Sequence, residues 1–472
     1  MRGLRRRLAR IGAASLVLVL AVGAATCRGR GGASVALEQR VDSMLPALER
    51  LSGLEAREPV RVRRQSTDAL RAFVERQLRD ELSAREVAGM EAAYKEFGLL
   101  PDTLDLRSLL LELYSEQVVG YYDPETEALY VREEVEAGAL EPVLAHELVH
   151  AIQDQHTDLD ALIAPERGND ARAAAQAAIE GHATIAMVAF MAERQSGSPV
   201  DPTALPDLGA QLRPALEAQN ADFPVFASAP RLIRETMLFS YLGGASFVQA
   251  LWRGTAAAAN ATGPAASSSS DAAPPVPLGD LLPLSTEQVL HPHERFLDRR
   301  DPPTRIRLEE AGGEAGAEAG AGAPGEATRA YGSWRVVYEN GLGELETAIL
   351  LEVHGEDPAD SLAAGWDGDR YRVWESDEAV RLIEWFSVWD TGAAADRFAD
   401  AYGRVLDRRG RAGAIVERMA VEGRPAVRVL EGASAIDPER APRSRVRSLA
   451  EVTGPALDPP DPPADGSAPE AP

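Results

Sequence analysis

The chain has 472 residues, with 74 acidic side chains against 49 basic ones and a formal charge of −25. So negative a surface repels phosphate backbones and anionic lipid, which argues against a nucleic-acid partner and leaves a lipid anchor as the expected route to a membrane. Lys95 is the lone lysine and has no phosphate-loop glycines around it; no G-x-S-x-G stretch occurs, and the one G-x-G-x-x-G match, Gly320–Gly325, lies in low-complexity sequence. Nucleotide and serine-hydrolase chemistry therefore lack their parts.

Residues 1–27 read as a signal peptide. Five arginines within the first ten positions precede an apolar run from Ile11 to Ala25, too short for a comfortable membrane span. Cys27, the single cysteine, follows at once and is a candidate lipidation site; cleavage and release is the alternative. Either route places the mature chain outside the cytoplasm, in the periplasm or cell envelope or secreted.

Residues 28–310 read as a mostly helical first domain. Helices are expected over 35–51, from a Ser66 or Thr67 cap to about 82, from Ser83 to 97, and over 106–116, with a short strand at 60–63. Runs 117–122 and 129–132 flank Asp123-Pro124-Glu125-Thr126 and read as a β-hairpin.

Directly after the hairpin comes His146-Glu147-Leu148-Val149-His150 inside a helical apolar pattern. His146 and His150, four apart, lie on one helix face and can share a metal ion. Glu147 is turned about 100° away and can reach a water at that ion instead. Two imidazoles on the ion and a carboxylate on the water are what a zinc hydrolase needs, with a third ligand still to be found.

Two residues offer themselves. His156 completes H-E-x-x-H-x-x-Q-x-x-H, but Gln153 stands where the chain would have to leave the helix, and Gln favours helix. Glu180 lies in an Ala-rich apolar helix expected over 170–193, where an unpaired carboxylate is costly to bury. His182 is a further option, and Thr184 is placed to bond a ligand histidine.

Helices follow over 208–219 and 232–252; the second is apolar nearly all round, with Tyr241 near its middle. Residues 255–277 read as a disordered Ala/Ser/Pro insertion. Behind them His291 and His293 flank Pro292 on stiff backbone, and His291 is the candidate donor to a developing oxyanion, with Tyr241 as the second choice. A Gly/Ala/Glu linker is expected at 311–329. Residues 330–440 then read as a small α+β domain: helices over 343–353 and 393–406, strands over 370–374 and 382–388, and a hairpin of 414–419 with 425–430. Gly365–Arg370 reads as a structural turn rather than a cation loop. Residues 441–472 read as a disordered Pro/acidic tail.

Several stretches together resemble the gluzincin group of zinc metallopeptidases: Val119–Pro124, His146–Gln155, Glu180–Ala183, Ser285–Pro292 and Gly365–Arg370. They resemble more closely an uncharacterised bacterial set of secreted or lipid-anchored proteins with this core. The resemblance runs from about Ser66 to Ala401, with gaps; His182 stands where an acidic residue is expected. It implies an α+β protein: a zincin-like catalytic domain with an edge hairpin, then a small α+β domain. It also implies Zn2+ on His146, His150 and Glu180, with Glu147 as general base and a protein or peptide substrate paired along 118–122. The alternatives are a metzincin-like peptidase using His156 and a metal-stabilised envelope scaffold without turnover.

Overall fold

The computed structural model describes residues 16–18 and 35–451, apart from 82, 136, 219–222, 263–277, 299, 311–329, 332–333, 412 and 433–440. Cys27 and the expected linker at 311–329 lie outside the described residues.

Local signals set the early elements. Helices α1 (Val35–Ser52), α2 (Thr67–Glu81), α3 (Ala84–Glu96) and α4 (Leu106–Gln117) stand where the apolar spacing put them. Ser83 opens α3 with a reciprocal cap: its hydroxyl accepts from the Glu86 amide at 3.1 Å, and the Glu86 carboxylate accepts from the Ser83 amide at 2.8 Å. The hairpin is β3 (Val118–Asp123) with β4 (Ala128–Arg132). Asp123 shapes its turn by accepting from the Glu125 amide at 3.0 Å and the Thr126 hydroxyl at 2.8 Å. Strand β2 (Arg61–Gln65) pairs parallel with β4. On the opposite edge, β1 (Leu16–Leu18) pairs antiparallel with β3, Leu16 opposite Tyr121 and Leu18 opposite Val118.

Behind this sheet lies α5 (Ala137–His156), and α6 (Asn169–Ser196) packs against α5. Gly120 lets β3 approach α5, because a Cβ there would sit 2.6 Å from Val143 Cγ1. The expected helix over 232–252 is three pieces: α7 (Arg231–Leu238), a π-helical turn (Phe239–Gly243) and α8 (Gly244–Thr262). The last begins the expected insertion 255–277 as helix up to residue 262. Gly181 of α6 meets Gly244 of α8 backbone to backbone, so the small residues of α6 serve the crossing with α8.

The C-terminal part is an antiparallel sheet in the order β10-β11-β9-β8-β7-β6. Its strands are β6 (Ala330–Tyr331), β7 (Trp334–Asn340), β8 (Trp366–Ser376), β9 (Arg381–Trp389), β10 (Ile415–Val421) and β11 (Arg424–Gly432). Short helix α9 (Thr286–Leu290), α10 (Gly343–Val353) and α11 (Gly392–Arg408) complete the picture. The Gly365–Arg370 stretch is not a separate turn: Trp366 onward is the start of β8. Its carboxylates are occupied. Asp369 accepts from the amides of Leu342 and Gly343 and from the indoles of Trp366 and Trp385, while Asp367 pairs with Arg424 and Thr304.

The expected tail also begins with structure. Strand β12 (Ser444–Glu451) pairs antiparallel with β5 (Thr304–Glu310), so the chain returns past the C-terminal part to where it entered. Together the elements form a mixed α+β fold, helical in its N-terminal region and β-rich in its C-terminal one. One buried apolar cluster extends from Leu37 to Val429, and Phe97 of α3 packs edge-on against Tyr371 at 5.3 Å and Trp385 at 5.6 Å. Among the described residues, no helix is long and apolar enough to cross a membrane.

Buried acids line the seam between the two regions. Glu346 accepts from the Tyr94 hydroxyl at 2.8 Å and from Asn169 at 2.7 Å; Asp170 accepts from the Thr286 amide at 2.9 Å. Burial pushes Asp170 up to about 7 and Glu346 up to about 8. A carboxyl whose folded pKa exceeds its unfolded one stabilises fully below the unfolded value and loses that contribution as pH rises through the folded value. Urea unfolding should therefore show stability falling between about pH 5 and pH 8, and Glu346→Gln should remove a few kcal/mol of that decline, on the order of the shift itself.

Candidate metal centre

Helix α5 runs unbroken from Ala137 to His156, with Val143, Leu144, Leu148 and Ile152 buried. That burial turns His146 and His150 inward, where both rings are almost wholly enclosed. Helix α6, pinned against α8 by the Gly181–Gly244 contact, brings Glu180 to the same point. Glu180 Oε2 lies 3.1 Å from His146 Nε2 and 3.4 Å from His150 Nε2, and the two Nε2 atoms are 2.9 Å apart. The three ligand atoms all lie within 4.8 Å of one another, the sole such group of three among the described residues.

Burial alone would raise the Glu180 carboxyl, but the neighbouring imidazoles outweigh it and hold it down at about 2. An ionised carboxylate and two imidazole nitrogens converging in a dry site make a donor set suited to a divalent ion. Glu147 supports the same fit. It is fully buried, and neither carboxylate oxygen has a hydrogen-bond partner. Burial lifts its carboxyl to about 8, with Glu180 adding to the rise and His150 opposing it; the Tyr122 backbone also favours the ionised form, which places β3 beside this side chain. A buried carboxylate that no side chain holds is expensive unless a reacting group or water belongs there.

The other expected residues fall elsewhere. His156 is no third ligand: α5 does not break at Gln153, and His156 Nε2 meets the Glu55 carbonyl at 2.7 Å. His291 is not brought into the triad; its Nε2 meets Glu344 Oε1 of α10 at 2.8 Å, an ion pair that raises its pKa. His293 is exposed. The Thr184 hydroxyl is buried without a hydrogen-bond partner, so it does not orient a ligand histidine. Tyr241 does stand at the site, its ring centroid 6.1 Å from that of His146, on the π-helical turn.

Sequence reasoning missed Gln153. Its side chain is buried and meets His150 Nδ1 at 2.8 Å, His182 Nδ1 at 2.9 Å and the Ile179 carbonyl at 3.1 Å. His182 in turn meets the Ser52 carbonyl at 2.9 Å, and burial lowers its pKa to about 4. The only signal was position: Gln153 lies one turn beyond His150, on the same face.

Neither a curated protein nor a solved structure matches the chain. Residues 334–441, within the C-terminal part, match a model described as Domain of unknown function (DUF8575). Residues 63–211, which carry β2 through the triad, match a model described as Putative metallopeptidase family (DUF6782), and with the buried His-His-Glu group this match supports a metallopeptidase.

Proposed function

We propose that the protein is a zinc-dependent peptidase of gluzincin type, with His146, His150 and Glu180 as ligands and Glu147 as general base. The observation that carries this is the convergence of the three ligand atoms beside a buried carboxylate that no side chain holds. Zn2+ held there supplies Lewis-acid polarisation of the scissile carbonyl and acidifies a water. Glu147 takes up the proton that water loses and delivers it to the departing amine. Its burial beside the three ligands, without a side-chain partner, suits a group whose partner is the reacting water. Tyr241, with its ring centroid 6.1 Å from that of His146, is the candidate to steady the oxyanion, since His291 is held by Glu344.

The substrate lies extended along β3, its backbone antiparallel to Val118–Tyr122. The seating of Leu16–Leu18 on that edge in antiparallel register supports this, as does the closeness of the Tyr122 backbone to Glu147. Residues 1–27 direct the chain out of the cytoplasm, and Cys27 carries a lipid that holds it at the envelope.

The test is metal content together with turnover of a denatured protein. Wild type should bind one equivalent of Zn2+ and cleave; chelation should stop cleavage and Zn2+ restore it. Glu180→Ala should lose both metal and cleavage. Wild type that binds the metal but never cleaves would favour the scaffold reading.

A further inference from the structure

Four groups in a row, from three separate parts of the chain, admit one assignment of protons. The Ser52 carbonyl at the end of α1 can only accept, so His182 Nε2, 2.9 Å away, carries the hydrogen. The Ile179 carbonyl also only accepts, so the nitrogen of the Gln153 amide lies on this side, 3.1 Å from that carbonyl, and His182 Nδ1, 2.9 Å away, is its second acceptor. The reverse amide would set its oxygen against two acceptors. Gln153 Oε1 therefore faces His150, and at 2.8 Å it accepts from Nδ1–H. Its tautomer so fixed, His150 presents an Nε2 with a free lone pair toward Glu180 and His146.

We propose that Gln153 and His182 are positioning residues that lock His150 in the tautomer able to bind the metal, and that the Ser52 carbonyl makes α1 part of the centre. This rests on the metal-binding reading above. It also extends the centre beyond residues 63–211, since the relay begins at Ser52. A partner that holds a ligand histidine's far nitrogen typically matters 10–100-fold to metal affinity, roughly. Here that partner is an uncharged amide, so its orientation has to be imposed from outside, and His182 and the Ile179 carbonyl do so together. The His182 ring is itself held edge-on against Trp252 at 5.7 Å.

The test is Zn2+ affinity of the full chain by chelator competition, with the Co2+ absorption spectrum as a report on ligand geometry. Gln153→Met keeps length and flexibility but removes the acceptor; it should weaken affinity about 10–100-fold and change the Co2+ spectrum. Gln153→Glu offers His150 an acceptor again but sets its second oxygen against the Ile179 carbonyl and His182 Nδ1, so it should recover only part of the affinity that Gln153→Met loses. His182→Phe keeps a ring against Trp252 but leaves the amide with the Ile179 carbonyl as its one remaining acceptor, and should weaken affinity several-fold, with His150 and Gln153 untouched. If Gln153→Met does not fold, His182→Phe decides the matter, wild-type affinity there overturning the relay. Wild-type affinity in both Gln153→Met and His182→Phe, with Glu180→Ala still metal-free, overturns the relay alone. Failure of wild type to bind Zn2+ or Co2+ overturns the metal reading and this proposal with it.

Discussion

Glu147→Gln should bind Zn2+ like wild type and hydrolyse peptide about 10²–10⁴-fold more slowly, the usual contribution of a positioned acid–base group. The geometry separates the two readouts. Glu147 is on the HExxH helix but is not in the ligand group, so an amide in its place leaves His146, His150 and Glu180 untouched. The amide cannot accept a proton, so the loss should appear in kcat rather than KM. The variant should also fold as well as wild type or better, because it removes a buried carboxylate that no side chain holds. Unchanged turnover in metal-loaded Glu147→Gln would remove Glu147 from the reaction.

Gly181→Ala is expected to damage the fold and the centre together. A Cβ at that position would lie 2.0 Å from the Gly244 carbonyl carbon and 2.2 Å from its oxygen, both backbone atoms that no rotamer change can clear. Helices α6 and α8 would have to separate, at a cost of roughly 3 kcal/mol, and Glu180, one residue away, would move with them. The expected result is a lower midpoint in urea together with weakened metal binding. Gly403→Ala is the matched control. It sits inside α11 with nothing within 4 Å of the added carbon, and should stabilise by about 0.5–1 kcal/mol through helix propensity. The same substitution should thus have opposite signs at the two positions.

The centre was readable in the sequence to the extent that it is local. His146, Glu147 and His150 are set by helical spacing, and Glu180 stood out because a carboxylate in an apolar helix needs a reason to be there. Most helices and the β3–β4 hairpin were equally legible, since their caps and turn residues are their own. What depends on distant partners was not. Gln153 looked like an ordinary helix former because its role is defined by His182 and by Ser52. His291 looked like an oxyanion donor because nothing in its neighbourhood announces Glu344, which arrives on α10. The π-helical turn at Phe239–Gly243 adds one residue to a turn and leaves an apolar pattern intact, so periodicity could not register it. Ser444–Glu451 carries arginines and a neighbouring proline and reads as tail until β5 is placed beside it.

The β5–β12 pairing has a consequence for how the chain is made. Translation delivers Thr304–Glu310 long before Ser444–Glu451, so the first strand waits with its ladder unfilled. A chain cut before Ser444 never fills it, and an open ladder recruits strands from neighbouring molecules. Such a truncation spares every ligand of the metal and would still fail, seen as inclusion bodies rather than as a soluble enzyme without activity.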